Sequence, residues 1–376
     1  MIEGAIEKPI DKIRYPSCTK KARHYLVLAQ IAILFLLACF AATGATRTDT
    51  LRERLESPDR DYVFVTMHRG DWRHAPENSV GAIQGAIDMG ADIIELDVAK
   101  TKDGRLVLLH DGTLDRVSNG AGPSTDYTLE EIKRFRLKGI DGETLTDYEI
   151  LTLDEAFALT KGKILVNIDK FQRDPIGVAE CARKCGVERE VILKGSFTPD
   201  ELQSAMGDEW RSIMDGTFLY MPIIWIDRPS ALASFEAWQG CGRAPFAYEL
   251  CFSSEGQIEV LTRLESMQRE SGPRIWLNTL WDSLCAGHTD EHGFNGDLDG
   301  SWGWCLKHGA TMIQTDRPAE LMRYLEAQGR RAIVQSSAIG SGAGRTAERY
   351  ASNELMNTRM MFARAVAGDF RQDLQD

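Results

Sequence analysis

Several common signatures are missing from this chain, and each omission removes a class of function. Its eight cysteines include no CxxC pair, which excludes the local ligand spacing of zinc ribbons and dithiol redox sites. Positive charge is in deficit, with 44 lysines and arginines against 56 aspartates and glutamates and a net charge of −12. A protein that grips a nucleic-acid backbone needs the opposite balance, and no nucleic-acid partner is expected. A glycine-rich phosphate loop is absent too: the turn after the first predicted strand reads MHRGDW, with one glycine. That argues against a doubly wound open sheet, the nearest alternative fold.

What is present begins with a polar tail, residues 1–24, whose end is basic through Lys20, Lys21, Arg23 and His24. Residues 25–43, YLVLAQIAILFLLACFAAT, are nineteen uncharged and strongly apolar residues. As a helix they would reach about 28 Å, close to the hydrocarbon thickness of a bilayer. Clustered lysines before the span predict a cytoplasmic tail, a single-pass helix in the cytoplasmic membrane, and a catalytic region outside it, periplasmic or extracellular. A signal segment cleaved near Ala42–Ala45 and a lipid on Cys39, in Leu37-Ala38-Cys39, are the alternatives for the same stretch. Among the remaining cysteines, Cys181 and Cys185 read as buried free thiols, while Cys285 and Cys305 leave a loop staple open.

Residues 44–60 read as a polar linker with a short surface helix. An alternation then sets in over 61–329. Apolar, β-branched segments recur at 62–67, 92–98, 105–109, 164–169, 191–194, 211–215, 246–250, 275–279 and 311–315. Between them lie helical patterns: ENSVGAIQGAIDMG places Val80, Ile83, Ala86 and Ile87 on one face, and TLEEI, TLDEA and TPDEL open with a threonine followed by an acid. Repeated strand–helix alternation over this length predicts an α/β TIM (β/α)8 barrel preceded by one N-terminal transmembrane or signal-anchor helix. Nine strand candidates are one too many, so one should be an adjunct. Residues 330–376 read as a peripheral tail.

Functional groups of such a barrel collect at the C-terminal ends of its strands. There the sequence places His68 and Arg69, Glu95 and Asp97, His110 and Asp111, and Asp169 with Lys170. Glu95 and Asp97 are two apart on one strand and share a face, where two carboxylates repel unless a cation or a proton neutralises them. An oxygen-ligated Mg2+ or Ca2+ is the economical answer. The plainer reading has one carboxylate capping a loop and the other paired with Arg69 or Lys170. The two histidines are candidates for acid–base work near neutral pH. Arg69 and Lys170 supply charge for an anion such as a phosphoryl group.

The run HRGDWRHAPENSVGAIQGAIDMGADIIELDVAKTKDGRLVLLHDGTLDR resembles the opening of the glycerophosphodiester phosphodiesterase family. The likeness continues through NGAG, TLEEI, KGSFTPDEL, WLNTL and GATMIQTDRP. It implies a TIM barrel and metal-dependent cleavage of glycerophosphodiesters to glycerol 3-phosphate and an alcohol. It further implies that His68 and His110 are the acid–base pair, that Arg69 binds phosphate, and that Glu95 and Asp97 hold the metal. Glu77 and Asn78 of PENS match positions at the site's edge. Family members commonly use the substrate's own glycerol hydroxyl and pass through a cyclic phosphate, consistent with the lack of a serine or cysteine nucleophile beside a base. The fourth strand departs from the family's Glu-x-Lys: here it reads Asn167-Ile168-Asp169-Lys170. Asp169 becomes the third expected metal ligand, and Asn167 shares its face. The stretch 281–303 reads as a lid or a headgroup-selecting loop, and His74 as a possible substrate contact. Inositol, lysophospholipid or sphingolipid headgroups, and an inactive membrane-tethered binding module, are the competing functions.

Overall fold

Residues two apart on each strand do different work in this protein. The computed structural model describes residues 44–255, 259–268 and 272–331. Its strands are β1 (Phe64–Met67), β2 (Ile93–Lys100), β3 (Leu106–Leu108), β4 (Leu165–Asp169), β5 (Val191–Gly195), β6 (Leu219–Trp225), β7 (Ala247–Cys251), β8 (Arg274–Asn278) and β9 (Ala310–Thr315). Eight of them are parallel and close a barrel in the order β1-β2-β4-β5-β6-β7-β8-β9, with β9 returning to β1. One set of alternate residues, including Val65, Ile94, Val166, Leu193 and Ile313, faces outward into the core beneath the helices. The other set faces inward, and its lowest layer is apolar: Phe64, Ile93, Leu165, Ile192, Ala247, Trp276 and Met312. Above that layer the inward positions turn polar with Thr66, Glu95, Asn167, Lys194, Glu249, Asn278 and Gln314, all buried. A barrel interior is a packed core, so a polar layer inside it must be internally paired or hold a ligand.

The adjunct strand is β3. It pairs antiparallel with β2, Val98 opposite Leu108 and Lys100 opposite Leu106. Strand β2 therefore climbs out of the barrel beyond Asp97, its last residue to pair with β4, and β3 brings the chain back to the rim. The following excursion to Ile150 has a small core of its own, with Val107, Leu109, Leu114, Val117, Ile132 and Leu137.

Four sequence expectations are corrected. Residues 211–215 are not a strand but lie in a short helix, Trp210–Met214, because Trp210, Ile213 and Met214 fall three and four apart on one face. The fifth barrel strand is Leu219–Trp225, disguised by Pro222, which cannot donate to a ladder. That proline stands where pairing with β5 ends, opposite Gly195, and pairing with β7 begins at Ile223. Next, the helix foreseen at the surface is a plug. Helix α1 (Arg47–Glu56) sends Leu51 and Leu55 into the apolar layer at the bottom of the barrel. Its Arg52 guanidinium, 1% exposed, donates to the carbonyls of Arg189 and Gly216. Third, the barrel does not stop at 329: Arg331 is buried and ion-paired to Asp92, and Arg330 accepts from the Val63 amide at 2.9 Å. The staple left open between Cys285 and Cys305 does not form, both being free, buried thiols, and Cys181 and Cys185 are free in the helix Pro175–Cys185. Fourth, Val80 leaves its expected face and is exposed in α2 (Val80–Met89), where Ala82, Ile83 and Ala86 are buried. The tail 1–24, the apolar stretch 25–43 with Cys39, and 332–376 lie outside the described residues. Among the described residues no helix is long and apolar enough to cross a membrane.

The threonine caps form as expected, Thr128, Thr152 and Thr198 each closing a capping box. Because Leu55 fills the barrel floor, Leu55→Ala should cost about 2–4 kcal/mol. A urea denaturation midpoint lowered with little change of slope would show it, and an unchanged midpoint would refute the plug.

Candidate functional site

The first element of the site is backbone. After β1 the chain turns sharply, with Arg69 at φ 54° and Gly70 at φ 79°. Such conformations are uncommon for a residue with a side chain and cluster at functional sites. Gly70 has no substitute, since a Cβ there would lie 2.8 Å from the carbonyl carbon and oxygen of Ala82. The turn aims the Arg69 amide at Glu95, donating to Oε2 at 2.9 Å. Its guanidinium reaches Asp97, Nε to Oδ2 at 3.6 Å, and both oxygens of Glu77 at 3.3 Å. Asn78, itself at φ 58°, clamps Asp97 from both sides. Its Nδ2 donates to Oδ2 at 3.0 Å, and its Oδ1 accepts from the Asp97 amide at 3.3 Å.

Glu95, Asp97 and Asp169 converge, each offering a carboxylate oxygen within 4.8 Å of the others. Glu95 is 1% exposed and Asp97 fully buried. Burial, then Asp97 and Asp169, push the Glu95 carboxyl well above its ordinary range, against the pull of Lys194 and Arg69. Two buried oxygens, Asp97 Oδ1 and Asn167 Oδ1, have no hydrogen-bond partner among the described residues. Unpaired oxygens beside crowded carboxylates are what an oxygen-ligated divalent cation fits. Strand β4 ends at Asp169, and Lys170 follows at φ 56°, its amide donating to Asp169 Oδ1 at 2.7 Å.

Both histidines are held by Nδ1. His110 comes back to the rim through β3, where the Leu109 amide donates to the carbonyl of Asp97 at 3.1 Å. It therefore does not sit at the end of a barrel strand, as the sequence suggested. Its Nδ1 lies 2.7 Å from Asp111 Oδ1. Arg116 grips Asp111 through Nε at 2.7 Å and Glu77 through Nη1 at 2.7 Å and Nη2 at 2.9 Å. His68 Nδ1 lies 2.9 Å from Asp316 Oδ1, just past β9, and its ring meets Trp281 edge-on at 5.7 Å. Asp316 also accepts from Trp72 Nε1 at 2.6 Å, and its amide donates to Asp290 Oδ2 at 2.7 Å. A carboxylate at Nδ1 favours the tautomer with the proton there, leaving Nε2 as the free basic nitrogen.

Sequence reasoning overlooked Arg116, Lys194, Glu249, Asp290 and Asp316. Asp316 and Lys194 stand at strand ends in TDRP and VILK, so the rim rule that selected the others applies to them as well. Lys194 Nζ lies 3.3 Å from Glu249 Oε2 and 3.9 Å from Asp169 Oδ2. Burial works against its charge, but Asp169, Glu249 and Glu95 outweigh it and hold the ammonium protonated. The stretch 281–303 joins the site through Asp290, whose Oδ1 accepts from Thr279, Trp302 and Thr315 at 2.6–2.8 Å. Its His288 instead stacks on Trp304, ring centroids 4.0 Å apart. His74 pairs with Asp71 at 2.8 Å.

A family model described as the glycerophosphoryl diester phosphodiesterase family matches residues 68–205, and one described as a domain of unknown function matches 220–325. Over 108 residues the chain is 49% identical to the glycerophosphodiester phosphodiesterase of Caldanaerobacter subterraneus subsp. tengcongensis, covering 28% of this chain and 44% of that protein. Over 171 residues it is 33% identical to the Bacillus subtilis (strain 168) protein named "putative glycerophosphodiester phosphodiesterase YhdW", covering 45% of this chain and 67% of that one. The chain belongs to the glycerophosphoryl diester phosphodiesterase family. Its match spans less than half of the first relative's length and about two thirds of the second's. The solved structure of a glycerophosphoryl diester phosphodiesterase from Parabacteroides distasonis ATCC 8503 shares the fold, with a TM-score of 0.59 at 23% identity over 77% of this chain and 94% of that one. In this family member the cluster Glu95–Asp97–Asp169 and Lys194 fall within the family match, whereas Glu249, Asp290 and Asp316 fall within the second.

Glu77 ties this site to acid stability. Burial would raise its carboxyl, but Arg69 and then Arg116 outweigh that and hold it at about 2. An unfolded glutamate titrates near roughly 4.3. Glu77 therefore stabilises the fold fully above roughly that pH and loses the contribution as pH falls through the folded value. Thermal melts from pH 6 down to pH 2 should show a steep acid limb that Glu77→Gln flattens. An equally steep limb in the variant would refute the assignment.

Proposed function

We propose that this chain hydrolyses glycerophosphodiesters to glycerol 3-phosphate and an alcohol, with His68 and His110 exchanging the protons. One observation carries the reading: two histidines, each held at Nδ1 by its own carboxylate, stand on the rim that also gathers Glu95, Asp97, Asp169 and the Arg69 guanidinium. Glu95, Asp97 and Asp169 would hold a divalent cation, Mg2+ or Ca2+, with Asn167 as a neutral oxygen nearby. Once bound, that ion would offset the negative charge of the phosphodiester and polarise its oxygens.

The steps left to the protein are proton transfers and orientation. One histidine takes the proton of the glycerol hydroxyl at Nε2 as that oxygen attacks phosphorus. The other gives a proton to the departing alkoxide, so the alcohol leaves neutral. A cyclic phosphate results, and water opens it with the two roles exchanged. Arg69 and Lys170 would supply positive charge to the phosphoryl oxygens. The charge of Arg69 is secure: burial opposes it, but Glu77, Asp97 and Glu95 hold its pKa above the ordinary value. Asp111 and Asp316 keep each ring turned, and Glu77, Asn78 and Arg116 keep those supports in place. Export of the barrel beyond the cytoplasmic membrane, by an anchor, a cleaved signal or a lipid on Cys39, is supported by the apolar stretch 25–43 after its basic tail.

Two measurements test this. With a panel of glycerophosphodiesters, His68→Ala and His110→Ala should each reduce kcat by about 10²–10⁴-fold, and EDTA should abolish turnover. Activity retained in either variant removes that histidine's role, and full activity in EDTA removes the metal. Independently of turnover, Mg2+ or Ca2+ at a hundred times its Kd should stabilise the fold by about 2.7 kcal/mol. Asp97→Asn should lose that stabilisation in a thermal shift; a shift that persists places the ion elsewhere.

A further inference from the structure

Strand β4 presents Asn167 and Asp169 inward, and Lys170 begins the next turn. A cation stands inside the barrel, one strand over. Lys194 of β5 is 3% exposed and is the one buried lysine among the described residues. Burying an ammonium without partners is prohibitive, and the partners here are specific. Lys194 Nζ lies between Asp169 Oδ2, at 3.9 Å, and Glu249 Oε2, at 3.3 Å. Glu249 is oriented in turn: its Oε1 accepts from Asn278 Nδ2 at 2.8 Å, and Asn278 Oδ1 accepts from Trp276 Nε1 at 2.8 Å. The indole ring of Trp276 lies 5.8 Å from the ammonium. Lys194, Glu249, Asn278 and Trp276 are all buried, and only Asp169 at the head of this chain is half-buried.

Glu95, Asp97 and Asp169 share the interior with Lys194, whose other carboxylate partner is Glu249, while the Arg69 guanidinium is divided between Asp97 and Glu77. We propose that Lys194 and Glu249 are a built-in counter-charge pair that tunes the affinity of the carboxylate cluster for a divalent cation. Lys194 thereby acts as a positioning residue, holding Asp169 toward the cluster, and Glu249 keeps it from moving fully onto Asp169. This rests on the metal-site reading above.

Calorimetric titration of the full chain in metal-free buffer separates the two ideas, first with Ca2+ and then with Tb3+. The unaltered chain should bind one Ca2+; if it binds none, the metal-site reading itself fails. Lys194→Met, which removes a positive charge, should tighten Ca2+ by at least about tenfold and Tb3+ by more. Glu249→Gln should weaken Ca2+ by at least about tenfold. With Ca2+ bound by the unaltered chain, affinities unchanged in both variants, or lowered in both, overturn the counter-charge pair. Should Lys194→Met fail to fold, the double variant Lys194→Met/Glu249→Gln keeps the net charge. It should bind Ca2+ within about threefold of the unaltered chain, and about tenfold more tightly than Glu249→Gln alone. A double variant as weak as Glu249→Gln overturns the proposal.

Discussion

Carboxylates crowded into the water-poor mouth of a barrel repel one another far more strongly than they would in bulk solvent, because little dielectric lies between them. Much of the architecture around Glu95, Asp97 and Asp169 answers that repulsion. The Arg69 amide and guanidinium, the Asn78 clamp and the Lys194 ammonium all deliver positive charge or donors to this one place. The left-handed backbone at Arg69, Gly70 and Asn78 is part of the same answer, since a relaxed turn would aim those donors elsewhere. Oxygens that stay unpaired, such as Asp97 Oδ1, mark where the internal compensation stops and a bound cation would continue it.

The two histidines are fixed by the same device assembled in two ways. His110 takes its carboxylate from the next residue in the chain, and Arg116 locks that carboxylate from five residues on. His68 takes its carboxylate from Asp316, 248 positions along the chain, and closure of β1 against β9 is what brings the two together. Asp316 is secured by Trp72 from one side and by Asp290 from the other. The stretch 281–303 is therefore tied to the orientation of His68 whether or not it also covers the substrate.

Much of the site was legible because strand ends are legible. A short apolar run followed by a polar residue places that residue on the rim, and this logic located His68, Arg69, Glu95, Asp97 and Asp169 without coordinates. Lys194 and Asp316 obey the same rule yet carry no neighbouring motif that draws attention to them. Glu249 and Asp290 were invisible for a different reason: one lies within a strand and the other in a loop, and only packing shows that each is surrounded by donors. Pro222 hid a barrel strand because its effect depends on which neighbour needs its amide. Helix α1 looked like surface because six charged residues among its ten, Arg47, Asp49, Arg52, Glu53, Arg54 and Glu56, conceal two leucines that meet the barrel floor.

Local sequence determined what depends on local spacing: the threonine-capped helix starts, the strand alternation that makes an α/β barrel, and the shared face of Glu95 and Asp97. Those follow from periods of two and 3.6 residues, which each segment carries by itself. Tertiary structure decided which strand stands outside the barrel, which carboxylate serves His68, and which lysine faces Asp169. These depend on ring closure and strand register, which bring side chains hundreds of residues apart within hydrogen-bonding distance. No single segment encodes them.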